Sequence, residues 1–190
     1  MKYPPEPLTP SEASALIDAA DVRRVSGMRD RALLTLLYRS GLRCSEGLAL
    51  RTWDVDTDGG TVRVMRGKGD KNRTVGMDAR AFKVIDEWRG QRTAAGIESD
   101  WLFCSLAGGR IDSSYVRRMI KKLAKRAGIE RRVHAHGLRH TLACELRAEG
   151  VDIGIISRQL GHSSIATTSR YLDHISPAAV IKVMGERIWE

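Results

Sequence analysis

Cysteine is scarce in this chain: Cys44, Cys104 and Cys144 are the only three in 190 residues, odd in number and far apart. That fits neither a disulfide framework nor the paired spacing of a zinc site, so they read as reduced thiols in or near the core. No run approaches the roughly eighteen apolar residues of a membrane span. The amino end, MKYPPEPLTPSEAS, lacks the apolar centre of a signal peptide. A soluble, cytosolic protein with no membrane partner is the expectation. Internal repeats and low-complexity tracts are missing too, which excludes a solenoid. Acids are in deficit, with 23 Asp+Glu against 32 Lys+Arg, a formal charge of +9 and a pI near 9.9. An anionic partner follows, although charge alone does not separate nucleic acid from a membrane surface or a ribosome. Hydrophobic residues at 42% and charged residues at 29% exclude wholesale disorder, and the length suits one compact domain.

Residues 2–8 hold three of the five prolines and read as an extended lead-in. Thr9-Pro10-Ser11-Glu12 carries a capping box with Pro at the first helical position, which predicts a short helix through Ala20. Ala32, Leu33, Leu36 and Leu37 recur at helical spacing between Arg29 and Arg39, and Ser40-Gly41 ends that run. Ser45 to Leu50 reads as a short helix with Ser45 as N-cap. The period then changes. Val62 and Val64 alternate with polar neighbours, Gly67-Lys68-Gly69-Asp70 has turn chemistry, and Val75 and Met77 alternate again, the pattern of a β-hairpin. Helices follow at Ala79–Ala95, at Ser114–Ala127 before Gly128, and on Leu138, Leu142 and Leu146 up to Gly150. Ile153, Ile156 and Leu160 mark another that ends at Gly161, and Ser176-Pro177 caps a last amphipathic segment. The fold class is therefore α+β, mainly α, with one small antiparallel sheet or hairpin between helical halves.

Positive charge concentrates between Arg110 and Arg132, nine basic residues against Asp112 and Glu130. At the helical turn angle, Arg117, Lys121 and Lys125 form one row and Arg118, Lys122 and Arg126 another, opposite Val116, Met119, Ile120, Leu123 and Ala127. Like charges at i, i+4 repel by a few tenths of a kcal/mol per pair. Rows without an acid favour a nucleic acid over plain solvent as their partner.

Four short strings remain: Gly41-Leu42-Arg43-Cys44-Ser45-Glu46; Gly67-Lys68-Gly69-Asp70-Lys71-Asn72-Arg73; His136-Gly137-Leu138-Arg139-His140; and Leu160-Gly161-His162 followed by Tyr171. Each alone has an ordinary structural explanation, such as Arg43 pairing with Glu46 or Lys68 solubilising a turn. Together and in this order they resemble the catalytic domain of the tyrosine recombinases, the phage integrase family. The resemblance runs from about Leu8 to about Pro177, with Tyr171 nine residues after His162.

The resemblance implies an enzyme of DNA integration and excision, a fold like that of the DNA breaking-rejoining enzymes, and a site free of metal, cofactor and ATP. A phosphodiester is an anion with a poor leaving group, so a metal-free site needs fixed cations and a proton donor. Arginine suits this because its planar fork grips phosphate and stays charged. By resemblance Arg43 and Arg139 clamp the nonbridging oxygens, His162 donates to one of them, and Tyr171 is the nucleophile that forms a 3′-phosphotyrosyl link. Lys68 is the general acid for the leaving 5′-oxygen, and His136 assists the tyrosine as base. Glu46 and His140 are supporting residues, Glu46 orienting the arginine and histidine. Gly47 departs from the family pattern of Leu or Ala, at a helix-propensity cost of about 1 kcal/mol.

On this reading residues 1–8 are the lead-in, 9–175 the catalytic domain and 176–190 a C-terminal helix exchanged between protomers. The partners are double-stranded DNA, copies of the same chain as a homotetramer on paired sites (a monomer when free), and, if the chain is a fragment and not a naturally short member, the family's amino-terminal core-binding domain in cis. A prokaryotic or phage-encoded, nucleoid-associated protein is expected. Two rival readings exist: a type IB topoisomerase-like enzyme, whose site resembles this one, and a non-catalytic helix-turn-helix module spanning Asp152 to Tyr171.

Overall fold

The computed structural model describes residues 7–65, 72–162 and 185. Within them the chain forms seven helices and a three-stranded sheet. The first helix, α1 (Pro10–Asp18), opens on the expected capping box: Glu12 N–H donates to Thr9 Oγ1 at 3.1 Å, and Thr9 N–H donates to Glu12 Oε2 at 2.7 Å. It stops two residues short of Ala20. Ahead of it, Leu8 is buried, and its N–H donates to Thr141 Oγ1 at 3.0 Å, which seats the end of the lead-in on a distant helix.

The second helix, α2 (Val25–Ser40), begins one turn earlier than its apolar spacing predicted. Seven consecutive residues from Ala32 to Tyr38 are buried. A helix buried on all sides is central, and α2 is packed by its neighbours accordingly. It ends at Gly41, which is left-handed at φ 66°. The short α3 (Cys44–Ala49) then lies close against it. A Cβ on Gly47 would sit 2.9 Å from Leu37 Cδ2 and 3.3 Å from Leu36 Cδ2. The departure from Leu or Ala at this position thus lets α3 approach α2, offsetting the propensity cost with packing. The N-cap of α3 is Arg43 and not Ser45. Arg43 has extended backbone, and its N–H is taken by the Glu46 carboxylate at 2.8 Å, so capping comes from the glutamate inside the helix.

A 3-10 turn (Thr52–Asp54) leads into β1 (Val55–Asp56), β2 (Thr61–Val64) and β3 (Arg73–Gly76), antiparallel in that order, with Val62 opposite Val75. The hairpin is present as expected. The two-residue β1 is an addition that alternation could not reveal, since two residues show no period. After the sheet, α4 (Ala79–Ala94) buries Phe82, Ile85 and Trp88 against α2, and the Trp88 indole N–H donates to the Leu102 carbonyl at 2.8 Å. Then come α5 (Ser113–Arg126), α6 (Ala135–Ala148) and α7 (Ile153–Leu160). α6 packs on α2, α7 packs on α6 and meets the edge strand β3, and α5 lies against α1 and α3. The expected C-terminal helix, 176–190, falls outside the described residues apart from Gly185. None of the described helices is long and apolar enough to cross a membrane.

Candidate active site

Two helices end at one place. α2 stops at Gly41, α7 stops at Gly161 (φ 64°), and α3 and α6 start beside them. The end of α7 is a Schellman turn: Gly161 N–H donates to the Arg158 carbonyl and His162 N–H to the Ser157 carbonyl, both at 3.0 Å. This turn fixes the backbone of His162.

Arg139 ties the two ends together. It lies in the second turn of α6, 2% exposed, and its Nη1 donates to the Gly41 carbonyl at 2.6 Å and its Nη2 to the Leu160 carbonyl at 2.5 Å. Both carbonyls sit at helix C-termini, where partial negative charge favours a cation. These two bonds orient the planar guanidinium fork. Arg43, at the start of α3, is half-buried. Its Nη2 donates to the Gly161 carbonyl at 3.3 Å and its Nη1 to Glu46 Oε1 at 2.8 Å. Both expected clamp residues therefore converge on the α7 terminus, with His162 as the next residue.

Beneath them Glu46, 5% exposed, accepts from Arg43 and also from Arg73, whose Nη1 and Nη2 reach Oε1 and Oε2 at 2.9 and 2.8 Å. This is the planar two-point pairing arginine forms best. Burial pushes the Glu46 carboxyl up, but the hydrogen bonds and charges of Arg73 and Arg43 outweigh it and hold the pKa at about 2. Arg73 is the first residue of β3 and stood in the hairpin motif with no role assigned to it. It also explains Gly161 a second time, since a Cβ there would come within 2.6 Å of Arg73 Nε.

Gln159 was likewise missed. Its Nε2 donates to the Ser40 carbonyl at 3.0 Å and the Gly76 carbonyl at 2.8 Å, and its Oε1 accepts from Gly76 N–H at 3.2 Å. One amide thus joins the end of α2, the edge of the sheet and α7.

Burial and the positive cluster together set the state of the histidines. Burial, followed by the charges of Arg139 and Arg43, pushes His162 down to about 4, so its imidazole is neutral near pH 7. His136, in the first turn of α6, is exposed. Partial burial and then Arg139, His140 and Arg43 lower its pKa as well. His140 is 3% exposed, below the site within α6. Lys68 and Tyr171 lie outside the described residues. No cluster of His, Cys, Asp or Glu suited to a metal ion occurs among the described residues.

The six basic residues of α5 are all exposed, above a face that buries Val116, Met119, Ile120, Leu123 and Ala124. The two rows face different ways. Arg117 borders a pocket shared with His136, whereas Arg118, Lys122 and Arg126 line a groove against α1 and α2 that also contains Asp21 and Asp30.

This architecture, mainly helical with a small antiparallel sheet, is the fold of tyrosine recombinase catalytic domains. The XerA recombinase crystal structure superposes with a TM-score of 0.84 at 34% identity, covering 100% of this chain and 68% of that one. XerH bound to palindromic difH substrate, in a post-cleavage complex, matches at 0.79 and 26% identity, over 97% of this chain and 54% of that one. The family model described as the phage integrase family matches residues 6–176, and the chain belongs to that family. Among curated relatives, tyrosine recombinase XerC of Myxococcus xanthus is 38% identical over 173 residues, 88% of this chain and 57% of its own length. XerC of Xanthomonas campestris pv. campestris (strain B100) is 41% identical over 167 residues, 88% of this chain and 51% of its own. The chain thus spans about half the length of the curated relatives it matches.

Proposed function

We propose that this chain breaks and rejoins DNA as the catalytic part of a site-specific tyrosine recombinase. The observation that carries the reading is the convergence of Arg43, Arg139 and neutral His162 on the ends of α2 and α7, over a carboxylate that fixes Arg43. Two oriented guanidinium forks and an imidazole N–H match the charge that builds on the nonbridging oxygens of a phosphodiester under attack.

Tyr171 Oη attacks the phosphorus and gives its proton to His136, whose lowered pKa keeps an acceptor nitrogen available at neutral pH. The P–O5′ bond breaks, the 5′-oxygen takes a proton from Lys68, and a 3′-phosphotyrosyl link remains. Attack by another strand's 5′-hydroxyl reverses these steps, and the phosphodiester energy is conserved without ATP. Arg117, Lys121 and Lys125, with Arg118, Lys122 and Arg126 beyond them, hold the duplex backbone. The protein acts as a homotetramer on paired sites, with residues 176–190 exchanged between protomers. It is a cytoplasmic, nucleoid-associated protein. A non-catalytic helix-turn-helix module would leave the buried Glu46 cluster without a purpose.

The test is a suicide-nicked duplex resolved on a denaturing gel. Wild type yields a covalent adduct, and Tyr171→Phe binds the duplex without one. An adduct from the Phe variant removes Tyr171 from the reaction. No adduct from wild type on any attachment-site candidate overturns the reading.

A further inference from the structure

Beside the candidate site lies a cavity of about 220 Å³, floored by Val116 and Ile120 and walled by Cys44, Arg117, Arg132, His134 and His136. It lies where α3, α5 and the strap entering α6 meet, and its composition sets it apart. The groove between α1, α2 and α5 contains Asp21 and Asp30. The groove beside α2, α4 and α6 contains Asp78 and Glu145, and the pocket beside β2 contains Glu46 and Asp54. This cavity has no carboxylate among its lining residues, and four of its walls are guanidinium or imidazole groups contributed by two separate segments.

The position is as specific as the composition. His136 belongs both to this wall and to the proposed reaction centre, so an occupant of the cavity sits directly beside the reacting phosphate. Arg117 and Cys44 line the cavity together, and the charge of Arg117 works against the burial that raises the Cys44 thiol pKa. At about 30 Å³ per water the cavity has space for roughly seven waters, ample for a phosphate group.

We infer that this cavity is a second phosphate seat, holding the DNA phosphodiester that flanks the one being cleaved, with Arg117 and Arg132 gripping the same group. The inference rests on the proposed DNA-cleaving function and adds Arg132 and His134 to the binding surface. Holding two successive phosphates fixes the direction of the strand as well as its position, and in-line attack needs both.

Two arginines on one phosphate predict a specific salt dependence. On a random-sequence duplex, the double variant Arg117→Gln/Arg132→Gln should lower the slope of log affinity against log salt by about 0.9, one phosphate's worth. The double variant Lys121→Gln/Lys125→Gln, whose side chains stand a turn apart in the open, should lower it by about 1.8. The duplex should also shift the His134 imidazole signals in NMR, and inorganic phosphate at equal concentration should not. Thermal melting checks that both variants are folded. A loss of about 1.8 from the Arg117/Arg132 pair, or none, overturns the shared seat. Saturation by inorganic phosphate with an unchanged duplex slope makes the cavity a free-anion site and overturns it as well. If wild type binds duplex with no salt dependence, the DNA reading fails along with it.

Discussion

The cluster around Glu46 and the outer side of α5 are both rich in arginine and lysine, yet they treat charge in opposite ways. Around Glu46 each cation is tied to another element: Arg43 and Arg73 to the carboxylate, Arg43 also to the α7 terminus, and Arg139 to two helix ends. Along α5 the six cations stand exposed, and among the described residues no salt bridge ties them to a carboxylate. Cations that are held from within can be aimed at one small group, whereas cations left open in a row suit an extended polyanion whose position along them can vary. Precision belongs to the first region and capture to the second.

The contrast breaks most sharply at Glu46. Removing this carboxylate in Glu46→Ala leaves Arg43 and Arg73 facing each other partly buried, and should destabilise the protein by about 3 kcal/mol in denaturant titration. Adduct formation should fall with it, because Arg43 loses its orientation. Acid should do the same gradually. The carboxyl pKa is held at about 2, below its ordinary 4.5, so its stabilisation is complete above pH 4.5 and disappears as pH falls through about 2. His162 adds to this from higher pH. Its neutral form is favoured in the fold, so its contribution is complete above about 6.5 and declines as pH drops toward 4. A stability profile that stays flat from pH 7 to pH 3 would contradict both assignments.

Gln159→Ala should have an intermediate effect. Three bonds to backbone are lost where solvent can partly replace them, a cost of about 1–2 kcal/mol. The larger consequence should be a slower cleavage step with duplex affinity little changed, since β3, the strand that follows Lys68, loses its tie to α7, which ends just before His162. A change in affinity with an unchanged cleavage rate would make Gln159 part of the DNA surface instead.

The smallest stability effect belongs to α5. Lys121→Gln/Lys125→Gln should leave stability within about 0.5 kcal/mol of wild type or raise it slightly, because like-charge repulsion is relieved. The same variant should weaken binding about equally for specific and random duplex. A selective loss at one base position would mean these side chains read sequence.

The helices were legible because their apolar residues recur locally and glycines end them, as at Gly41, Gly128, Gly150 and Gly161. The residues proposed as the clamp were picked out by a family resemblance, and the structure adds the reason that such short strings converge: two of them are helix ends. Ser45 was misread as a cap because serine's preference is strong, while Glu46 already filled that task from inside the helix. Arg73 and Gln159 were out of reach. Their partners lie 27 and 83 residues away, and no local pattern encodes a contact at that distance. Periodicity separated the two rows of α5, but not the different neighbours that Arg117 and the Arg118 row meet.

The bidentate pair between Arg73 and Glu46 also makes the hairpin a lever. Arg73 opens β3, and its fork and that of Arg43 hold one carboxylate between them. Any displacement of β3 therefore tugs on Glu46 and is felt at Arg43. Under the proposed function, the strand that follows the acid and one arginine of the clamp share a single carboxylate, so a shift of β3 would disturb proton donation and anion grip together.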